Sequence, residues 1–212
     1  MASADEARGA ATEAVLWDLG GVLLDWDPRH LYRKLFGADI AAMDYFLAHV
    51  CSPDWHAQQD LGKATAQACA ELVAQHPGQA AMINAWAERN EEMVAGAIAG
   101  SVEVLAELRA GGVSCYALSN MERESWQRRL QLYDFLSWFD GCFISSLEGV
   151  MKPDPRYFRG ALARFELRPE GCLFVDDRPQ NIEVAWSLGI PAVLFHSPQQ
   201  LREDLVARGL LS

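Results

Sequence analysis

Apolar residues recur along this chain in two rhythms. Short continuous runs at 14–17, 113–118, 142–144, 172–175 and 192–195 have the length and composition of strands buried on both faces. Before, between and after the last four, apolar residues return every three or four positions. That spacing predicts amphipathic helices at 101–110, 122–132, 156–165, 179–188 and 199–207. Ser101 is placed to cap the first of these, and Gly111-Gly112 closes it. Strands alternating with helices imply a parallel sheet with right-handed crossovers, a Rossmann-like α/β fold with helices on both faces.

One long stretch breaks the alternation. From Pro28 to about residue 99 the pattern holds no convincing strand. It predicts helices at 30–36, 39–50, 63–76 and 79–98, with a polar turn at 55–62 between two of them. Breaker residues stand at both ends of this block, Asp27-Pro28 and 96–100, as suits a hinge. The expected organisation is therefore an α/β core made of 13–27 and 100–212, with a four-helix cap at 28–99 inserted after the first strand. Residues 1–12 are small and polar, lack the apolar segment of a signal peptide, and are expected to be a disordered tail.

Composition narrows the function. Half of the 212 residues are hydrophobic, enough for a substantial core. The net charge of −11 argues against nucleic acid or an anionic membrane surface as partner. It also means that an anionic substrate needs a local positive centre. The five cysteines (51, 69, 115, 142, 172) show no metal-type spacing and read as reduced core thiols of a cytoplasmic protein. No apolar run approaches the length of a membrane span. Oligomeric state is not written in the pattern.

Four chemically apt groups fall at or just after strand ends: Asp18, Ser119-Asn120, Lys152 and Asp176-Asp177. In a parallel sheet those ends share one edge, where ligands bind. Gly20 and Gly21 let the chain turn sharply behind Asp18. Together these residues supply a carboxylate nucleophile, hydroxyl and amide donors, a fixed cation and a carboxylate pair. That set suits phosphoryl transfer: Asp can attack phosphorus, and Mg²⁺ takes one or two carboxylates plus phosphate oxygen. Two adjacent aspartates would repel each other without a cation, which a bound metal explains.

The order Asp18-Leu-Gly-Gly-Val, Leu118-Ser119-Asn120, Lys152-Pro153 and Val175-Asp176-Asp177 with Asn181 resembles the four motifs of the haloacid dehalogenase (HAD) superfamily, from Val15 onward. The helical insert is similar to that family's C1 cap. The resemblance implies a sheet ordered 3-2-1-4-5 by chain appearance, with the strand of Asp18 central. It implies Asp18 as nucleophile and Mg²⁺ ligand, the Gly20 carbonyl and Asp177 as further ligands, and Asp176 as their close partner. Gly21, Ser119, Asn120 and Lys152 would hold the phosphate of a small phosphorylated metabolite.

The sequence departs from the commonest family pattern at Gly20. Family phosphatases usually carry a second Asp there, which protonates the leaving oxygen and then activates water. Such help is worth about 10²–10⁴-fold. One reading keeps a phosphatase, whose substrate leaves easily or whose proton comes from elsewhere. The run Asp-Leu-Gly-x-Val followed by Asp25-x-Asp27 is similar to the α-glucose-1-phosphatase-like branch, so a sugar phosphate fits. Asp25, Asp27 and His56 are the substitutes to consider, against plainer roles as turn, cap and solvated residues. A second reading is a 2-haloacid dehalogenase, in which Asp18 attacks carbon and Arg29 or Arg33 binds a carboxylate. A third is a non-catalytic binding module. A mutase fits less well, because it needs the acid at position 20. The turn at 55–62 is the cap element expected to face Asp18, while Met82, Trp86 and Met93 are expected to pack within the cap. Trp126, Trp138 and Trp186 are expected to pack on core helices.

Overall fold

The computed structural model describes residues 12–212. The tail expected at 1–12 thus falls, but for Thr12, outside the described residues. The chain begins with β1 (Ala14–Trp17), whose four side chains are all buried, and then β2 (Leu24–Trp26). Five helices follow: α1 (Arg29–Phe36), α2 (Ile40–His49), α3 (Pro53–Asp60), α4 (Thr65–Gln75) and α5 (Ala80–Glu88). The chain returns through β3 (Val94–Ala97) to α6 (Ala99–Ala110), β4 (Ser114–Ser119), α7 (Arg123–Leu132) and β5 (Gly141–Ile144). The remainder is α8 (Ser145–Glu148), α9 (Pro155–Phe165), β6 (Cys172–Asp176), α10 (Pro179–Ser187), β7 (Ala192–Leu194) and α11 (Pro198–Ala207).

Five strands form a parallel sheet in the order β5-β4-β1-β6-β7. Counted within that sheet alone, the order is 3-2-1-4-5, with β1 in the middle. Its two faces bury separate apolar clusters. Val15, Trp17, Leu105 and Leu173 lie in one, and Leu16, Phe158, Phe174 and Ile182 in the other. This follows from the side-chain alternation of a strand covered on both sides. The helices α1–α5 pack around a third cluster of their own, including Tyr32, Phe46, Trp55, Ile83 and Trp86.

The insert differs from expectation in three places. The helix expected over 79–98 ends at Glu88, and the chain continues through a 3-10 turn into β3. There β3 pairs antiparallel with β2, setting Leu24 opposite Ala97 and Trp26 opposite Val94. Strands of three and four residues are too short for a period-2 signal to stand out, and Met93 and Val94 prolong the apparent helical spacing. The polar turn expected at 55–62 is mostly helix α3, so the insert holds five helices. Ser52 caps α3 by accepting from Trp55 N at 3.2 Å, and Pro53 occupies the first turn. Its polar sequence conceals a buried side, because Gln59 and Asp60 point inward beside Trp55. Trp126 packs in the core as expected, whereas Trp186 is largely exposed on α10.

Candidate active site

The ladder of β1 continues one residue past the strand, where Asp18 N donates to the Val175 carbonyl at 2.9 Å. This fixes the Asp18 backbone at the C-terminal edge of the sheet. Its side chain is buried, and Oδ1 accepts from Leu19 N at 2.8 Å. Lys152 Nζ reaches the same Oδ1 at 2.8 Å. Oδ2 has no donor among the described residues, and Asp18 lines the cavity. The turn that follows is closed by bonds to the carbonyls of Leu19 and Leu24, none of which uses the carbonyl of Gly20. Gly21 has φ of +79°, and a Cβ there would lie 2.5 Å from Asp177 Oδ2. Glycine is needed at 21 for conformation and for the approach of Asp177. Position 20 carries no such constraint, since a Cβ there would meet nothing nearer than Trp26 Cβ at 3.9 Å.

Lys152 is the hub of the arrangement. Its ammonium contacts Asp18, Asp176 Oδ2 at 2.7 Å and the Leu118 carbonyl at 2.8 Å, which accounts for all three protons. Asn120 holds the backbone of Lys152: its Nδ2 donates to Lys152 O and its Oδ1 accepts from Lys152 N, both at 2.9 Å. The Asn120 side-chain amide is thus engaged in positioning Lys152. Ser119 Oγ makes only a 3.5 Å contact with the Asn120 carbonyl and remains available. Asp176 is saturated by Arg178 N, Asn181 Nδ2 and Lys152. Asp177 is half-buried, and its nearest cation is Arg178 Nε at 3.9 Å.

Three carboxylates thus face one buried ammonium. Burial pushes the Asp18 carboxyl up to about 7, with Lys152 opposing and Asp176 and Asp177 adding to the rise. Burial and the Asp176 charge raise Asp177 too. Oxygen atoms of Asp18, Asp176 and Asp177 lie within 4.8 Å of one another. An all-oxygen donor set with surplus negative charge fits a hard divalent cation such as Mg²⁺.

These groups line a cavity of about 650 Å³ that the insert walls on its other side. There a second polar cluster occurs, which sequence reasoning did not assemble. His56 Nε2 on α3 lies 3.6 Å from Asp60 Oδ1 and 3.6 Å from Glu122 Oε2. Only 16% of the His56 side chain is exposed, so the expected solvated residue is corrected. Its ring stacks on Trp26 with centroids 5.4 Å apart, and meets Trp86 edge-on at 5.0 Å. Trp86 therefore packs in the insert as expected and also forms cavity wall. Glu122 Oε1 is fixed by Ser125 Oγ at 2.5 Å and Asn90 Nδ2 at 3.0 Å. Burial works against the Glu122 charge, but His56 and Ser125 hold its carboxyl down at about 2. Asp60, by contrast, is pushed up to about 6 by burial. His56 and Asp60 stand one turn apart on α3, but no local signal links them to Glu122; only the fold brings it to them. Of the other substitutes considered for Gly20, Asp25 is exposed and paired with His30 at 3.0 Å. Asp27 closes the turn just before α1, its Oδ1 accepting from Arg29 N at 2.8 Å. Arg29 lies on the cavity wall but is ion-paired with Asp44 at 3.3 Å, and Arg33 is exposed away from it.

Comparison with known proteins points the same way. The family model for haloacid dehalogenase-like hydrolases matches residues 12–189. The sesquiterpene phosphatase astK of Aspergillus oryzae is 25% identical over 178 residues, covering 84% of this chain and 87% of that protein. Flavin mononucleotide hydrolase 1 of Arabidopsis thaliana is 30% identical over 115 residues, 52% of this chain and 45% of that protein. Among solved structures, a HAD family enzyme of Bacteroides thetaiotaomicron in complex with magnesium and inorganic phosphate superposes with a TM-score of 0.68. It is 22% identical and covers 88% of this chain and 96% of its own. No helix among the described residues is long and apolar enough to cross a membrane.

Proposed function

Because the chain belongs to the haloacid dehalogenase-like hydrolases, we propose that it is a Mg²⁺-dependent phosphatase of a small phosphomonoester, acting through an aspartyl-phosphate on Asp18. The observation that carries this reading is the joint placement of Asp18, Lys152, Ser119 and Asp177 around one cavity at the C-terminal edge of the sheet. Asp18 Oδ1 is immobilised by Leu19 N and Lys152, which leaves Oδ2 unengaged on a residue that lines the cavity. Oδ2 attacks phosphorus, the ester P–O bond breaks, and the alcohol leaves with a proton. Water then attacks the phosphorus of the aspartyl-phosphate, releasing phosphate and regenerating the Asp18 carboxylate. The Ser119 hydroxyl donates to the phosphoryl oxygens as charge redistributes, with the backbone at Gly21 beside it, and Lys152, whose protons are engaged, stabilises them through its charge. Asp18, the Gly20 carbonyl and Asp177 would hold Mg²⁺, with Asp176 alongside. Bound there, the metal would supply positive charge to phosphoryl oxygen. Burial of the reacting groups limits competition from bulk water.

The dehalogenase reading is less well supported. It leaves Asp177 without a purpose, and the arginines it would use are ion-paired or exposed. Acid-quenched reaction with a ³²P-labelled aryl phosphate tests the phosphatase reading. Label should stay on the wild-type protein and be absent from Asp18→Asn. Phosphate release with no label on the wild-type chain would remove the covalent mechanism.

A further inference from the structure

We propose that His56 is the general acid and base of this site, delivered by the insert in place of the carboxylic acid that position 20 lacks. This rests on the phosphatase reading above. Three independent placements carry it. First, Trp26 is the neighbour that a Cβ at position 20 would meet, 3.9 Å from the Trp26 Cβ, and the Trp26 indole is also the surface on which His56 stacks at 5.4 Å and 18°. Second, His56 and Asp18 line the same cavity. Third, the ring is fixed from both sides of that cavity. Trp26 and Trp86 set its plane, while Asp60 of the insert and Glu122 of the α/β core both face Nε2. Ser145 ties those two carriers together, donating to the Asp60 carbonyl at 2.6 Å and accepting from Met121 N at 3.0 Å. Nothing in helix packing alone calls for a buried imidazole between two carboxylates.

The charge balance suits the task. Burial works against a protonated ring, but Asp60 and Glu122 outweigh it and raise the His56 pKa above its ordinary value, against the opposing Arg129 charge. As Asp18 Oδ2 bonds to phosphorus, the ester P–O bond breaks onto the leaving oxygen. The imidazolium gives that oxygen the proton of Nδ1, the nitrogen that neither carboxylate faces, and becomes neutral. In the second half, neutral His56 takes a proton from water while the water oxygen bonds phosphorus and the aspartyl O–P bond breaks. Asp60 and Glu122 are positioning residues, because they act only through the ring.

The test is leaving-group dependence in His56→Gln, with rates expressed per active site from the ³²P burst. Alkyl phosphates, whose alcohols need the proton, should lose about 10²-fold or more in the single-turnover rate of Asp18 phosphorylation. The p-nitrophenolate burst from p-nitrophenyl phosphate, whose phenolate leaves unaided, should change by less than about threefold, while hydrolysis of the aspartyl-phosphate, common to both classes, slows equally. Adding Gly20→Asp to His56→Gln should restore alkyl phosphate turnover at least tenfold, and His56→Asn should repeat the pattern. Equal loss of the phosphorylation rate on both classes, no loss on alkyl phosphates, or no rescue by Gly20→Asp would each overturn the assignment. Failure of the wild-type protein to turn over p-nitrophenyl phosphate would instead sink the phosphatase reading itself.

Discussion

Gly21→Ala perturbs the site at a point where the magnitude can be worked out. Alanine at φ of +79° costs about 1–2 kcal/mol in the folded chain. Loss of glycine's freedom in the unfolded chain returns about 0.4–1 kcal/mol. The net cost without metal is about 1 kcal/mol, or a Tm lower by about 2–4 °C for a chain of this size. The added methyl also lies 2.5 Å from Asp177 Oδ2 and 2.8 Å from its Cγ, so the half-exposed carboxylate must swing away. If Asp177 is a metal ligand, Mg²⁺ affinity falls. A tenfold weaker Kd removes about 1.4 kcal/mol of the stabilisation that saturating metal confers. The gap between wild type and variant should therefore widen from about 1 to about 2.4 kcal/mol when Mg²⁺ is added. Gly20→Ala is the internal control, since its Cβ has ordinary space and no positive φ. It should be neutral or slightly stabilising, with an unchanged Mg²⁺ shift. Thermal unfolding of all three proteins with and without Mg²⁺ decides the matter. A Gly21→Ala protein as stable as Gly20→Ala, with the same Mg²⁺ shift, would refute the reasoning.

Other expectations follow from the same geometry. Lys152→Met strands buried Asp18 and Asp176 without their cation and should cost about 3–5 kcal/mol in urea unfolding without metal, along with nearly all turnover. Asn120→Ala removes both bonds that seat the Lys152 backbone; kcat should fall at least tenfold on aryl phosphate, and unchanged kcat would show that Lys152 seats itself. Glu122 sits at about 2 when folded against an ordinary 4.5, so the stability it contributes is full above about pH 5 and is lost as pH falls toward 2. The stability difference between wild type and Glu122→Gln, followed by denaturant titration, should shrink across that window; a difference independent of pH would contradict the ion pairing with His56.

The sheet was legible because each of its strands is a short apolar run, whereas its order rested on the resemblance to the haloacid dehalogenase superfamily. The strand-end groups were legible for the same reason: Asp18, Ser119 and Asp176 close such runs, and Lys152 follows another in the next loop. The insert was harder. Its hairpin rests on three- and four-residue strands, and the polar sequence of α3 hides the inward side of Gln59 and Asp60. The engagement of Asn120 with Lys152 was not legible, because sequence shows a side chain but not what already occupies it. Least legible was the environment of His56. Its partners are Trp26 and Glu122, thirty residues before it and sixty-six after it, and only tertiary packing joins them.

Phosphate release from a panel of sugar, alkyl and aryl phosphomonoesters, with Mg²⁺ and with EDTA, alongside Asp18→Asn, tests the central claim most directly. Release that requires Mg²⁺ and disappears in the variant is the predicted result. Release that persists in EDTA or in Asp18→Asn, or halide release from 2-chloropropionate with no phosphate from any ester, would contradict it.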